Sequence, residues 1–210
     1  MFGLIVFGLL GIYLLLLVWA TRRGWRWGVE KKGWTGRKRW LGAAIGFLIV
    51  YLPVFWDWIP TFVMHQYYCA TEAGFWVYKT LDQWKAENPG VMETLTTQQV
   101  PPHKFEGDEN NLTSTTLWNS RIKSTLKRQG PIFLHRSRQE NELIDIKSNE
   151  ILARYVDFST SHELRQAGWY GWKFWLAIDH CPNYRDKGIQ FGKFLEQLKG
   201  AETINRVSVD

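Results

Sequence analysis

The chain has 210 residues, of which 26 are lysine or arginine and 20 are aspartate or glutamate, so its net charge is +6. Ordinary glycine and proline usage excludes collagen-like and low-complexity proteins, 16% aromatic residues argue against disorder, and two cysteines exclude a disulfide-dense scaffold. The length favours one domain with an appendage over a multidomain enzyme.

The first element is an uncharged segment at residues 2–20. As a helix it would reach about 28 Å, close to the ~30 Å hydrocarbon core of a bilayer. A cleaved signal sequence is the alternative, but no basic residue precedes the apolar run, and Trp19-Ala20-Thr21-Arg22 lacks a small-residue cleavage pattern. We therefore predict an uncleaved transmembrane helix.

A basic segment follows at residues 21–40, where eight basic residues face the single acid Glu30. The basic residues are Arg22, Arg23, Arg26, Lys31, Lys32, Arg37, Lys38 and Arg39. This segment alone accounts for the basic charge of the chain, so a nucleic-acid partner is not expected. Tryptophans interleave with these residues, which favours contact with lipid headgroups, although a cytoplasmic partner would also fit.

The second apolar run covers residues 41–60, contains Pro53 and is interrupted only by Asp57. Trp56 and Trp58 flank Asp57, which indicates a position at the membrane interface rather than an intramembrane acid in a proton path. A buried core helix is the alternative for either run. Because short loops rich in Lys and Arg stay cytoplasmic, both termini should lie outside, in the periplasm if the membrane is a bacterial inner membrane.

Residues 61–210 carry balanced charge and fit one extracytoplasmic domain. Helical spacing predicts amphipathic helices at 64–87 and 188–199, with Asn88-Pro89-Gly90 ending the first and a short second helix running to about Thr97. We expect a loop at 98–111 and four strands at 117–127, 132–138, 142–147 and 151–158. Turns at 129–131 and 147–150 would join them in an antiparallel meander. The predicted fold is a membrane-anchored α+β protein: a two-helix hairpin followed by an α+β domain.

The two cysteines, Cys69 and Cys181, both fall in the segment predicted to be extracytoplasmic. Paired thiols in an oxidising compartment usually form a disulfide, which is the favoured interpretation. Unpaired thiols are one alternative. Another is tetrahedral zinc held by His65, Cys69, His180 and Cys181, since His65 and Cys69 are four residues apart on a predicted helix. No cofactor is expected.

Two further segments are candidate binding surfaces. The first holds Trp169, Trp172 and Trp175, which indicate either a core strand, a stacking surface for a ligand, or a belt dipping into the membrane. The second is a basic face formed by Arg121, Lys123, Lys127, Arg128, Arg136 and Arg138. The acids Glu140, Glu142 and Asp145 follow directly, so pairing across strands is expected, with anion binding as the alternative.

None of the common phosphate-loop, nucleophile-elbow, zinc-protease or dinucleotide motifs occurs in the sequence. The favoured function is therefore a non-enzymatic envelope protein, an accessory or assembly subunit whose partners are membrane lipid and another membrane or envelope protein. A ligand-binding or sensing module built on the aromatic segment is the second hypothesis. A membrane-associated enzyme acting on lipid or cell-wall material, using Asp57, His65 or the His180/Cys181 pair, is the third.

Overall fold

A computed structural model describes residues 2–98, 100–108, 110–160, 173–178 and 180–203. The chain divides into two compact units, Met1–Pro60 and Thr61–Asp210, and each is described by itself. The first unit is helical. The second combines helices with an antiparallel sheet, so the expectation of mixed helix and antiparallel sheet is confirmed.

The first unit is a helical hairpin. Helix α1 covers Phe2–Glu30, a 3-10 turn covers Gly36–Lys38, and α2 covers Arg39–Phe55. Two helical stretches, Phe7–Glu30 and Gly36–Phe55, are long and apolar enough to cross a membrane, judged by length and composition. The prediction of a loop over the whole of 21–40 is wrong, because nothing in residues 21–30 breaks the helix. Only residues 31–38 form the turn, which includes Gly33 at a φ of +62°.

Small residues let α1 and α2 approach closely. Ala20, Gly24 and Gly28 are spaced by four on α1, and Gly42 and Gly46 are spaced by four on α2. A Cβ atom added at Gly46 would lie 3.2 Å from the Gly24 Cα and closer still to the backbone carbonyl of Ala20. Spacing of small residues by four is typical of helix pairs whose backbones touch in membranes.

Helix α3 covers Trp58–Thr71, and in its described residues the second unit continues with a six-stranded sheet and three further helices. The helices are α4 (Leu81–Glu87), α5 (Val91–Thr94) and α6 (Tyr184–Lys199). The strands of the sheet are β1 (Gly74–Val77), β3 (His103–Gly107), β4 (Asn111–Leu117), β5 (Ile122–Ile132), β6 (Arg136–Asp145) and β7 (Ile151–Ser159). Their order is β1-β7-β6-β5-β4-β3, an antiparallel meander with β1 added at one edge. A separate parallel pair joins β2 (Thr96–Gln98) to β8 (Ala201–Thr203).

The predicted helix at 64–87 is wrong, because it merges three elements. The helix ends at Thr71, residues 74–77 form β1, and α4 starts only at Leu81. Residues Phe75, Trp76 and Val77 are aromatic or β-branched and favour a strand. A capping box between Thr80 and Gln83 then starts α4, because each side chain bonds the other residue's backbone amide.

Several strand boundaries also differ from the prediction. The expected loop at 98–111 contains β3, and the expected strand at 117–127 is divided by a turn at 118–121. The expected turn at 129–131 lies inside β5, and the chain reverses between β5 and β6 at Phe133–His135, where Leu134 and His135 have positive φ angles. The turn at 147–150, the strand at 151–158 and the closing helix are confirmed, with α6 starting four residues earlier than expected.

One face of the sheet carries the core. Residues paired across antiparallel strands share a face, so Ser124, Leu143 and Ala153 lie in one row. Helices α4, α5 and α6 contribute the rest of the apolar cluster, which contains Trp84, Leu95, Ile122, Leu143, Leu152, Ala153, Leu195 and Leu198. The opposite face carries Val156 and Phe158 near its end, covered by Tyr68 and Cys69 of α3. This cover brings α3 against the end of β7, where the first candidate site lies.

Candidate interaction surfaces and the disulfide cluster

The two cysteines meet beside the end of β7. Their sulfur atoms are at disulfide-bonding distance and their Cα atoms are 5.3 Å apart, although they are separated by 112 residues in the sequence. Cys181 is buried and packs with Val156 and Phe158. The bond fixes α3 to the segment that leads into α6, as the disulfide interpretation requires.

His65 lies one helical turn before Cys69 and is 2% exposed. Its Nε2 is 3.3 Å from the carbonyl oxygen of Phe158 and 3.5 Å from the Cys69 sulfur. The imidazole therefore holds α3 against β7 by donating Nε2–H to a strand carbonyl, and its second nitrogen lies 3.8 Å from the same sulfur. The spacing of four between His65 and Cys69, which suggested a shared face, correctly predicts this contact.

Only three of the four residues of the predicted zinc site come together. The ligand atoms of His65, Cys69 and Cys181 lie within 4.8 Å of one another. Nδ1 of His180, the fourth expected ligand, instead bonds the carboxylate of Asp157. The four-ligand zinc site is thus incomplete within the described ranges, because the carboxylate of Asp157 binds His180 instead.

Asp157 and His180 form a carboxylate–imidazole pair next to the disulfide. Asp157 is 3% exposed, and its second oxygen accepts the backbone N–H of Cys181 at 3.1 Å. The His180 side chain is 40% exposed and stacks on Tyr184 at 4.2 Å between ring centroids. A buried carboxylate that holds Nδ1 orients the ring and leaves Nε2 for another partner, as in general bases. No signal local to residue 157 could have predicted this pair.

The other proposed catalytic groups are enclosed. Asp57, expected at a membrane interface, is 1% exposed at the turn between α2 and α3. His65 is equally buried, so neither is accessible to a substrate from solvent. Among the residues named for the enzyme hypothesis, only His180 has an accessible side chain.

The aromatic segment is described only in part. Trp169 and Trp172 lie outside the described residues. Trp175 is half-buried in a short 3-10 helix at Phe174–Leu176, so a core strand, one of the three interpretations of this segment, is wrong for residues 173–178. Thr160 fixes this turn, since its hydroxyl donates to the carbonyl of Leu176 at 2.5 Å and its amide donates to the carbonyl of Ile178.

Arg121, predicted as part of a basic face, belongs instead to a buried network. Its guanidinium donates to Asp145 at 2.7 Å and to Asn88 at 2.8 Å, and the indole N–H of Trp84 donates to the same carboxylate at 2.8 Å. Burial acts to raise the pKa of Asp145, but the bonds from Arg121, Trp84 and the Lys147 amide outweigh it and hold this pKa below its ordinary value. The network ties α4 to the sheet.

The remaining basic candidates do not form one face. The face opposite the core carries Lys123, Lys127, Arg136 and Arg138. Arg128 lies on the other face of the sheet, together with Leu126. Lys127 pairs with Glu142 at 2.8 Å, and Arg138 pairs with Glu140 at 3.1 Å. Arg154 pairs with the second oxygen of Glu140, and Arg136 stacks over the Tyr68 ring at 3.8 Å. Three of the six basic candidates, Arg121, Lys127 and Arg138, therefore have acidic partners in the part of the chain that the structure describes.

Strand β3 is the exposed edge of the sheet. All five of its residues are exposed, and Phe105 is 67% exposed. Its side chains include an ion pair between Lys104 and Glu106 at 2.5 Å, with exposures of 75% and 59%. This strand corrects the expected loop: the preceding Pro101-Pro102 and the following cluster of Gly, Asp and Asn are typical of a loop and conceal it in the sequence.

No protein-family model matches the chain, and neither the curated proteins nor the solved structures contain a match.

Proposed function

We propose that this protein is an integral membrane protein whose two spans hold an extracytoplasmic interaction domain, and that it acts as a non-enzymatic accessory or assembly subunit of an envelope complex. The orientation rests on the charge of the turn between α1 and α2. Positive residues in short loops stay in the cytoplasm, so a hairpin of two spans would send everything after Pro60 outside.

The observation that carries the proposal is the cysteine pair. Cys69 and Cys181 are distant in sequence, yet their sulfur atoms lie at bonding distance. Disulfides persist in oxidising compartments and are rare in the cytoplasm. The pair therefore supports the same side of the membrane as the basic turn does, through chemistry that is independent of charge.

The character of the surface supports an interaction role. Three of the six basic candidates pair with acids of the sheet, and one of these pairs, Arg121–Asp145, stabilises the fold. Exposed apolar side chains instead lie on strands and turns, where Phe105 and Phe133 are 67% and 73% exposed. Exposed aromatic side chains of this kind are common anchors of protein interfaces.

A bacterial inner membrane is the membrane we propose. Reporter fusions test the topology: a reporter active only outside the cytoplasm should function after Asp210 and fail when inserted at Gly33. As a matched control, replacing Lys31, Lys32, Arg37 and Lys38 with glutamine should reduce or reverse this difference. Cytoplasmic activity of the reporter after Asp210 in the unaltered chain would refute the topology.

Detergent extraction followed by affinity capture tests the interaction role. We expect a membrane or envelope protein of different sequence to co-purify at fixed stoichiometry. The capture should survive 0.5 M salt if apolar side chains dominate the contact, because salt screens exposed charges but not apolar burial. A preparation that contains only this chain would contradict the role as an accessory subunit.

A further inference from the structure

Strand β3 lies at the edge of the sheet, and its hydrogen bonds to β4 show which of its backbone groups point outward. The amide of Leu117 donates to the carbonyl of Pro102, and the amide of Asp108 donates to the carbonyl of Asn111. In an antiparallel pair, alternate residues bond the neighbouring strand. The backbone of Lys104 and Glu106 therefore bonds β4, and the backbone N–H and C=O groups of His103, Phe105 and Gly107 point away from the sheet.

We propose that β3 pairs with β3 of a second copy of this chain, antiparallel and two-fold symmetric about Phe105. The outward groups of Phe105 would bond those of the partner's Phe105, and His103 would bond the partner's Gly107. The register gives roughly six backbone hydrogen bonds and extends the sheet across two copies.

Charge selects this register among those that the backbone permits. Pairing centred on Lys104 would place two lysines opposite each other, and pairing centred on Glu106 would place two glutamates opposite each other. Pairing centred on Phe105 places Lys104 opposite the partner's Glu106 on both sides of the axis. These residues would form a non-hydrogen-bonded pair, in which side chains approach most closely.

The exposure of the strand fits this occupant. All residues of β3 are exposed, and the Phe105 ring, which stacks on His103 at 6.4 Å, would meet the partner's Phe105 across the axis. Exposed edge strands are usually protected by charges that repel a second strand. The charges of β3 are self-complementary instead, so they do not prevent pairing with an identical edge.

The strand has only five residues, so the pairing should be weak in dilute solution. The proposed dimer rests on the proposed membrane anchor, which would confine two copies to one bilayer and raise their local concentration, as tethering does. It does not rest on the accessory-subunit role. A negative result in the reporter test would contradict the membrane anchor, whereas a negative result in the charge-reversal test below would contradict only the dimer.

Charge reversal in the full chain tests the proposal. Energy transfer between labelled copies in proteoliposomes, measured while the lipid-to-protein ratio is varied, reports the dimer fraction. Either Lys104→Glu or Glu106→Lys alone creates like-charge pairs at both ends of the interface and should weaken dimerisation by about tenfold or more. The double reversal, Lys104→Glu with Glu106→Lys, should restore it.

Mixing gives the sharpest result, because a Lys104→Glu copy and a Glu106→Lys copy are complementary to each other. We expect strong energy transfer in the mixture and weak transfer in each variant alone. Lys193→Glu, an exposed change of the same charge on α6, should leave dimerisation unchanged. Phe105→Pro should abolish the dimer while keeping the fold, since it removes only an outward N–H.

The wild-type chain should dimerise at high density. Absence of dimers at every density would overturn the proposal, as would single reversals without effect. Failure of both the double reversal and the mixture to restore dimers would also overturn it, and would indicate a partner of different sequence at this edge.

Discussion

Reduction of the disulfide should destabilise the second unit more than loss of any surface contact. The bond joins Cys69 to Cys181 across a separation of 112 residues. On the chain-entropy model, a closed loop of this size contributes about 5 kcal/mol, because it restricts the unfolded chain. The magnitude depends mainly on loop length, so the separation of the two cysteines along the sequence determines it.

Local packing sets the difference between reduction and mutation. Reduction leaves both sulfur atoms in the cluster with Tyr68, Val156 and Phe158, so it removes mainly the chain constraint. Replacing both cysteines with alanine also removes the buried sulfur atom of Cys181 and the partly buried one of Cys69. We expect that variant to lose about 1 kcal/mol more than the reduced wild type, through the cavity left behind.

Hydrogen exchange of the full chain in detergent is the assay. The amides of β6 and β7 lie in the centre of the sheet and should exchange only on global opening of the unit. A loss of about 5 kcal/mol would accelerate their exchange by roughly three to four orders of magnitude. The double alanine variant serves as the control, because a reductant should not change its exchange rates.

Two results would refute this reasoning. One is unchanged exchange of β6 and β7 after complete reduction, which would mean that the bond does not constrain the unfolded chain. The other is the presence of free thiols before any reductant is added. If a chelator then accelerated exchange, the three-ligand group of His65, Cys69 and Cys181 would hold a metal instead of a disulfide.

Three further predictions concern charge, pH and helix packing. Asp145→Asn leaves the buried guanidinium of Arg121 without its counter-charge and should lower the free energy of unfolding by about 3 kcal/mol, measured by thermal shift. Burial raises the pKa of Tyr155, so the stability that its neutral form contributes should disappear as the pH rises above about 10. Tyr155→Phe should therefore flatten the alkaline limb of stability against pH, and an unchanged limb would contradict this assignment. Gly46→Leu should separate α1 from α2 in spin-label distances, at a cost of about 1 to 3 kcal/mol, whereas Gly8→Leu should not, because no atom lies within 4 Å of its added Cβ.

Sequence periodicity predicted elements whose own residues determine them. The strand at 151–158 and the closing helix carry long, regular apolar patterns, and both were confirmed. Short elements were not predicted because their apolar patterns extend over few residues. Strand β1 has four residues directly after a helix, and apolar residues on either side of it imitated one continuous helical face.

The contacts of the candidate sites likewise divide into local ones, which the sequence predicts, and tertiary ones, which it does not. The contact between His65 and Cys69 follows from a spacing of four on one helix. The pairs Asp157–His180 and Arg121–Asp145 depend on tertiary approach, because each joins residues more than 20 positions apart. Composition alone therefore grouped Arg121 with surface lysines, although the fold buries it beside Trp84.

The ion pairs of the domain also favour the strand edge over a basic face as the proposed interaction surface. Lys127 and Arg138 already have acidic partners whose side chains are 9% and 12% exposed, so an added anion would have to displace buried carboxylates. The Lys104–Glu106 pair differs, since both of its side chains are largely exposed and such pairs contribute little to stability. Little is therefore lost when these two side chains turn toward a second copy. The edge of β3 is therefore the surface most available for association. Its charged pair contributes little to the stability of the fold, and its outward backbone groups are unpaired within the described residues.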